Sequence, residues 1–261
     1  MEAAMRCRVG KAGILMALFL ASFSVERAFA QAEVEADAAK VLGAMSEYLG
    51  SLQRFSVDYD VETEVVSYDG QKLQFASSGE IKVQRPDKLH ASRKGAIADL
   101  ELILDGSALT LYGKKANTFF QLPATTIDQA VDALRNDVGF DAPGADLLSE
   151  KPLQHAETDT ASGTHVGMAF LDGVQVHHLA FRGREVDWQL WVSDGEKPLP
   201  LKYVITSKWV AASPEYSIEF RNWNTAPSID DSSFVFKPSK DAKKLETFSV
   251  DEIGEIEMVK E

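Results

Sequence analysis

The chain has 261 residues and a formal net charge of -13, with 45% hydrophobic, 26% charged and 9% aromatic residues. These proportions exclude wholesale disorder and collagen-like structure, and the acidic balance argues against nucleic-acid binding, which needs a basic face. One cysteine, Cys7, excludes a disulfide framework.

The N-terminus reads as a secretory signal peptide. Arg6, Arg8 and Lys11 precede an apolar run from Ala12 to Phe23, and Ala28-Phe29-Ala30 is an A-x-A cleavage site. The run is too short for the roughly 20 residues of a membrane span. Residues 1–30 are therefore expected to be cleaved, leaving a periplasmic chain from Gln31 with no transmembrane segment and no cysteine. Removing them takes the net charge from -13 to -15.

Ala32 to Leu52 carries apolar residues at helical spacing: Val34, Ala38, Val41, Leu42, Met45, Leu49 and Leu52. The period then changes to two. Phe55, Val57, Tyr59, Val61, Thr63 and Val65 alternate with polar residues, which predicts a half-buried strand. Asp69-Gly70 marks a turn into a second strand through Leu73, Phe75, Ile81 and Val83. Asp105-Gly106, Asp172-Gly173 and Asp194-Gly195 repeat the signal between or after alternating runs, and such tight turns need positive φ. Further strands are predicted at Lys88–Arg93, Leu100–Leu104, Ala108–Tyr112, Thr118–Leu122, Val166–Leu171, Val174–Arg182, Trp188–Val192, Leu201–Val210, Tyr216–Trp223 and Phe234–Phe236.

In the middle, Thr126 and Gln129 form a capping box for a helix with Ile127, Ala130, Val131, Leu134 and Val138 on one stripe. A short helix follows at Gly144–Leu148, and Gln154–Gly163 reads as a polar loop. Residues 246–261 hold six acids and one base and read as an acidic tail, solvated or partly ordered. Residues 31–245 form one mostly β (α+β) domain, a large antiparallel sheet curling into a part-barrel with helices on one side.

No nucleophile elbow, zinc motif or phosphate loop is present. His177 and His178 are adjacent in a strand, so they point to opposite faces and do not share a metal. An enzymatic reading would make one of them a base oriented by Asp187, but no nucleophile stands at a recognisable spacing. No catalytic residue, metal or cofactor is expected.

Several segments together resemble a known family. They are Tyr48-Leu49-x-x-Leu52, Gly70-Gln71-Lys72-Leu73-Gln74-Phe75, Arg85-Pro86-Asp87-Lys88-Leu89, Leu104-Asp105-Gly106 and Thr126-Ile127-Asp128. Val166-Gly167, Asp172-Gly173-Val174, His177-His178-Leu179-Ala180-Phe181-Arg182, Asp187-Trp188-Gln189-Leu190-Trp191, Pro198-Leu199-Pro200 and Asn222-Trp223-Asn224 follow. This order resembles a periplasmic domain-of-unknown-function family that groups with the LolA/LolB-like lipoprotein carriers. The resemblance implies a half-barrel of about eleven antiparallel strands, helices plugging its mouth and an apolar cavity between. It implies a non-enzymatic carrier of a lipid or other amphipathic ligand, or an envelope sensor.

The expected partner is an apolar or acyl-chain ligand in that cavity; the alternative is an interaction module recruiting a basic protein partner. Tyr59, Phe75, Leu104, Tyr112, Phe119, His178, Trp188 and Trp191 are the expected ligand-lining positions.

Overall fold

The computed structural model describes residues 33–96, 99–138 and 142–253. The expected signal peptide lies outside these residues. Strands β1 (Arg54–Val66), β2 (Lys72–Gln84), β3 (Lys88–Gly95), β4 (Asp99–Leu104), β5 (Ala108–Gly113) and β6 (Thr118–Pro123) form one antiparallel meander. Strands β7 (Thr160–Leu171), β8 (Val174–Gly183), β9 (Val186–Ser193), β10 (Pro200–Ser207) and β11 (Glu215–Asn224) form a second. β11 pairs with β1 and joins the two halves. The short β12 (Lys243–Lys244) adds a parallel edge to β6, which makes one curved sheet of 12 strands. The eleven antiparallel strands are those expected.

The turn chemistry follows the sequence. Gly70, Gly106, Gly173 and Gly195 all have positive φ. At Asp172-Gly173 both residues do, at 47° and 80°, the conformation that suits the twist of a two-residue hairpin.

Alternation gives the sheet an inner, helix-covered face and an outer face. Helix α1 (Ala36–Ser51) presents Ala38, Leu42, Met45 and Leu49, all buried. Helix α2 (Ile127–Asn136) presents Ile127, Ala130, Val131 and Leu134. These, with Leu147 and Leu148 from a 3₁₀ turn at Ala145–Leu148, join Phe55, Val57, Val61, Leu179, Phe181, Trp188 and Leu190 in one core. Thr126 caps α2 by accepting from Gln129 N at 3.2 Å. The return bond falls one residue earlier than a standard capping box, because Gln129 Oε1 accepts from Thr125 N at 3.0 Å.

Four expectations are corrected. Gln154–Gly163 is not a loop; it forms α3 (Gln154–Thr158) and the start of β7. Its polarity is used: Thr160 Oγ1 accepts from Trp188 Nε1 at 3.1 Å. β10 ends at Ser207, where Lys208 turns to reach Gly183 O at 2.8 Å and Asp187 at 3.2 Å. Phe234–Phe236 is no strand, because Asp230 accepts from Ser232 N and winds Asp231–Phe234 into a 3₁₀ turn. Residues 246–253 are not a solvated tail apart from the domain but pack on the sheet, with Phe248 and Ile253 in a core cluster.

That last segment belongs to a strap that wraps the β6 edge. On the outer face, Phe234 lies by Lys88, and Phe236 packs on Tyr112 and Phe119 at 5.4 and 5.0 Å. The chain then pairs with β6, with Leu245 N donating to Phe119 O at 2.8 Å. On the inner face Leu245, Phe248 and Ile253 close a second core over Leu100, Leu111 and Phe120. Thr118 Oγ1 donates to Glu252 O, and Gly113 is bare because a Cβ there would meet Ile253 O at 2.0 Å. The closing helix is α4 (Val250–Ile253).

Glu101 on the outer face gives a pH prediction. The His90 imidazole, 3.7 Å away, and the Lys114 ammonium, 2.6 Å away, hold its carboxyl down at about 2, against an ordinary value of 4.5. A depressed folded value stabilises above the ordinary one, and the gain is lost as pH falls from about 4.5 towards 2. Discounted for solvent screening, the gain is about 1 kcal/mol. Urea titrations at pH 6 and pH 3 should show the Glu101→Gln variant losing less stability on acidification than the parent; an equal loss contradicts the assignment.

Candidate functional site

One end of the sheet carries an apolar groove built by three local devices. The first is the tight β7–β8 turn, which holds Leu171 and Val174 side by side. The second is the β9–β10 loop. Ser193 Oγ accepts from Leu199 N and donates to Lys197 O, both at 2.9 Å, and this folds Leu199 back onto the sheet.

The third is an irregularity in β11. The β1 pairing slips between Ser56 and Asp58, and Asn222 takes a φ of 54° with its amide donating to Asp58 at 2.8 Å. Such a bulge re-aims the next side chain. Trp223 therefore packs on Phe55 and Phe220 at 5.6 and 5.7 Å, and its Nε1 donates to Pro200 O at 3.0 Å.

The groove holds about 520 Å³. Leu171, Val174, Leu199, Leu201, Phe220 and Trp223 supply its apolar wall. Asp172, Ser193, Glu219, Arg221 and Asn222 add polar groups. Two of the charges are already neutralised: Lys202 reaches Glu219 at 2.6 Å, and Arg221 pairs with Asp60. An apolar wall on which Glu219 and Arg221 are already paired suits an apolar chain better than an ion.

The eight sequence-nominated positions do not converge, and none lines this groove. Tyr59, Leu104 and Trp188 are buried in the main core. Tyr59 lies across Gly79, its hydroxyl donates to Ser92 O at 2.8 Å, and burial pushes the phenol up to about 12 against the opposing charge of Arg93. Phe75 is half-buried on β2 opposite Thr63 of β1 and is absent from the core clusters. Tyr112 and Phe119 sit on the outer face under Phe236. His178 and Trp191 stack on the outer face at 4.2 Å, with His178 bonded to Gln189 at 3.0 Å. The signal for the groove was present in Asp172-Gly173 and Asn222-Trp223-Asn224, but a bulge has no period to read.

The histidine pair divides as strand geometry requires. His177 faces away from His178, with Nδ1 3.2 Å from His165 Nε2 and Nε2 3.3 Å from Asp194. The carboxylate beside it is Asp194, not Asp187, which pairs with Lys208. If His177 donates from Nε2 to Asp194, its Nδ1 accepts from His165, so both ring nitrogens are used. Among the described residues no group of three or more His, Cys, Asp or Glu is arranged to hold a metal ion. No helix among them is long and apolar enough to cross a membrane.

The profile of DUF2092, whose description is "Predicted periplasmic protein", matches residues 38–247, from α1 into the strap. The chain belongs to the DUF2092 family. The DUF2092 match spans both meanders and every residue of the groove wall. No curated protein matches the chain.

Among solved structures the chain is similar to an uncharacterized conserved protein from Thermus thermophilus (10% identity, TM-score 0.49, 80% of this chain and 98% of that one). It is similar to the lipoprotein LppX of Mycobacterium tuberculosis (9%, 0.48, 74% and 98%). It is also similar to a LolA superfamily protein from Nitrosomonas europaea (10%, 0.40, 76% and 97%).

Proposed function

We propose that this DUF2092 protein is a non-enzymatic periplasmic binding protein that takes the apolar chain of a lipid or other amphipathic ligand into the groove at the end of its sheet. The observation that carries the reading is the groove itself, about 520 Å³ with a largely apolar wall and with Glu219 and Arg221 paired to neighbouring charges. The secretory features of residues 1–30 and the family description support export to the periplasm. Each buried methylene contributes about 0.8 kcal/mol, so about ten of them give about 8 kcal/mol before ordering costs. That corresponds to micromolar affinity at best, which suits a protein that releases what it binds.

A second reading, an envelope interaction module, is favoured by one observation. The side chains of α1 and α2 pack directly on the inner face and form an ordinary core there.

The test is titration with a dansylated undecanoic acid, read by energy transfer from tryptophan. The parent protein should bind saturably. Leu201→Glu, at a half-buried groove position, should weaken binding about tenfold or more by placing an unpaired charge on the wall, with the melting temperature little changed. Equal binding by both proteins removes the groove from the proposal.

A further inference from the structure

β7 is the last strand on its side of the sheet, and its outer edge is half covered. Along the first half, Glu35 N donates to Gly163 O at 2.9 Å, and Gly163 N donates to Glu33 O at 3.4 Å. His165 N donates to the Glu35 carboxylate at 3.1 Å. The backbone cover ends there, because the chain enters α1 at Ala36 and its amide groups turn to bonds within the helix. A bulge between His165 and Gly167 marks the boundary.

Beyond the bulge, residues 166–171 bond only to β8 among the described residues. Pairing parity identifies the outward groups. Leu171 and Val174 close the two-residue turn as a hydrogen-bonded pair, so Met168 and Phe170 turn their N–H and C=O away from β8.

Natural edges are blunted by charge, proline or brevity. Val166-Gly167-Met168-Ala169-Phe170-Leu171 has no charged residue and no proline. Its apolar side chains are open: Val166 is 56%, Met168 45% and Phe170 70% exposed. Backbone groups seeking partners and an exposed apolar row are the two components of strand addition.

The charges select the occupant. Glu33 and Glu35 stand at one end of the open stretch and Asp172 at the other. Asp194 lies beside His177, the cross-strand neighbour of Met168. A second copy brings the same acidic ends and a net charge of -13, so self-pairing is repelled.

We propose that the open half of β7 is a docking edge for an extended peptide segment of a partner protein, with alternating apolar side chains and basic residues at its ends. This edge adjoins the groove at Leu171, Asp172 and Val174, but Phe170 belongs to the edge alone and Leu201 to the groove alone, so variants at these two positions separate the proposals.

The probe is a fluorescent peptide of about nine residues, enough to span the open stretch, alternating valine and threonine with lysine at each end. Anisotropy at low salt should show saturable binding to the exported protein. Methylating alternate backbone nitrogens of the probe should cost about tenfold or more, because strand addition needs those donors. Glutamate in place of the terminal lysines should cost a similar factor. Phe170→Lys should do the same with an unchanged melting temperature, whereas Leu201→Glu should leave the peptide bound. Absence of binding, or equal binding of the methylated probe, overturns the proposal. Sedimentation of the parent as a dimer that Phe170→Lys converts to monomer also overturns it, by giving the edge to a second copy.

Discussion

A chain ending at Ala226 should lose most of the domain's stability. The deletion removes Phe234 and Phe236 from the outer face and Leu245, Phe248 and Ile253 from the inner face. Phe234 and Ile253 are each 1% exposed, and the other three are partly buried against the sheet. At about 1–2 kcal/mol each, the apolar burial lost is about 7 kcal/mol, and the ends of β4, β5 and β6 are then bare on both faces. That loss is about half or more of a total margin of about 5–15 kcal/mol. Because a truncation can fail for other reasons, a graded variant accompanies it. Phe234→Ala should cost about 3–5 kcal/mol by urea denaturation with an unchanged m-value. A truncated chain with the parent's near-ultraviolet dichroism and denaturation midpoint contradicts the structural role of the strap.

The second large effect is expected at Trp188. Its ring stacks on Phe181 at 3.9 Å and 15°, meets Tyr203 edge-on at 5.9 Å, and its Nε1 donates to Thr160. It therefore ties β9 to β8, β10 and the root of β7 beneath the helices. Trp188→Ala should cost about 3–5 kcal/mol and lower the melting temperature by roughly 10 °C for a domain of this size. Trp188→Phe keeps most of the apolar area and should cost less, and Thr160→Val should cost about 1–3 kcal/mol through the stranded indole N–H. Trp188 is one of the positions the sequence suggests as ligand-lining, and the aromatics on both faces of its strand, Trp188 on one and Trp191 on the other, require cover on each side. The structure assigns that cover to α1 and the core, so Trp188→Ala should weaken ligand binding only as far as it unfolds the protein.

Most of the sheet was legible because the physics that builds it is local. Alternation from Phe55 to Val65 reports a strand with one dry face, and β1 carries it across 13 residues. The Asp-Gly pairs report positive φ directly. Thr126 and the stripe from Ile127 to Leu134 report a capped, half-buried helix.

What was not legible depends on distant chain. Residues 108–113 are buried almost throughout, because the strap packs on both faces, with Phe236 on Tyr112 outside and Phe248 and Ile253 clustered with Leu111 inside. A strand covered on both faces has no alternation from which to assign Tyr112 a side. Phe234 and Phe236 have strand spacing, yet they pack on the sheet without pairing into it. The acidic composition of residues 246–261 concealed Phe248 and Ile253, two apolar anchors among solvated charges. The groove depends on a register slip at Asn222, and one slipped residue re-aims a side chain that no sequence period marks.

The most direct test of the binding function is native mass spectrometry of the exported protein purified from the periplasm of its own host, with lipid analysis of whatever is released on denaturation. The prediction is a stoichiometric adduct bearing an apolar chain, present on the parent and lost from Leu201→Glu. A clean, unadducted mass for both proteins, repeated from the native host, contradicts a bound amphipathic ligand.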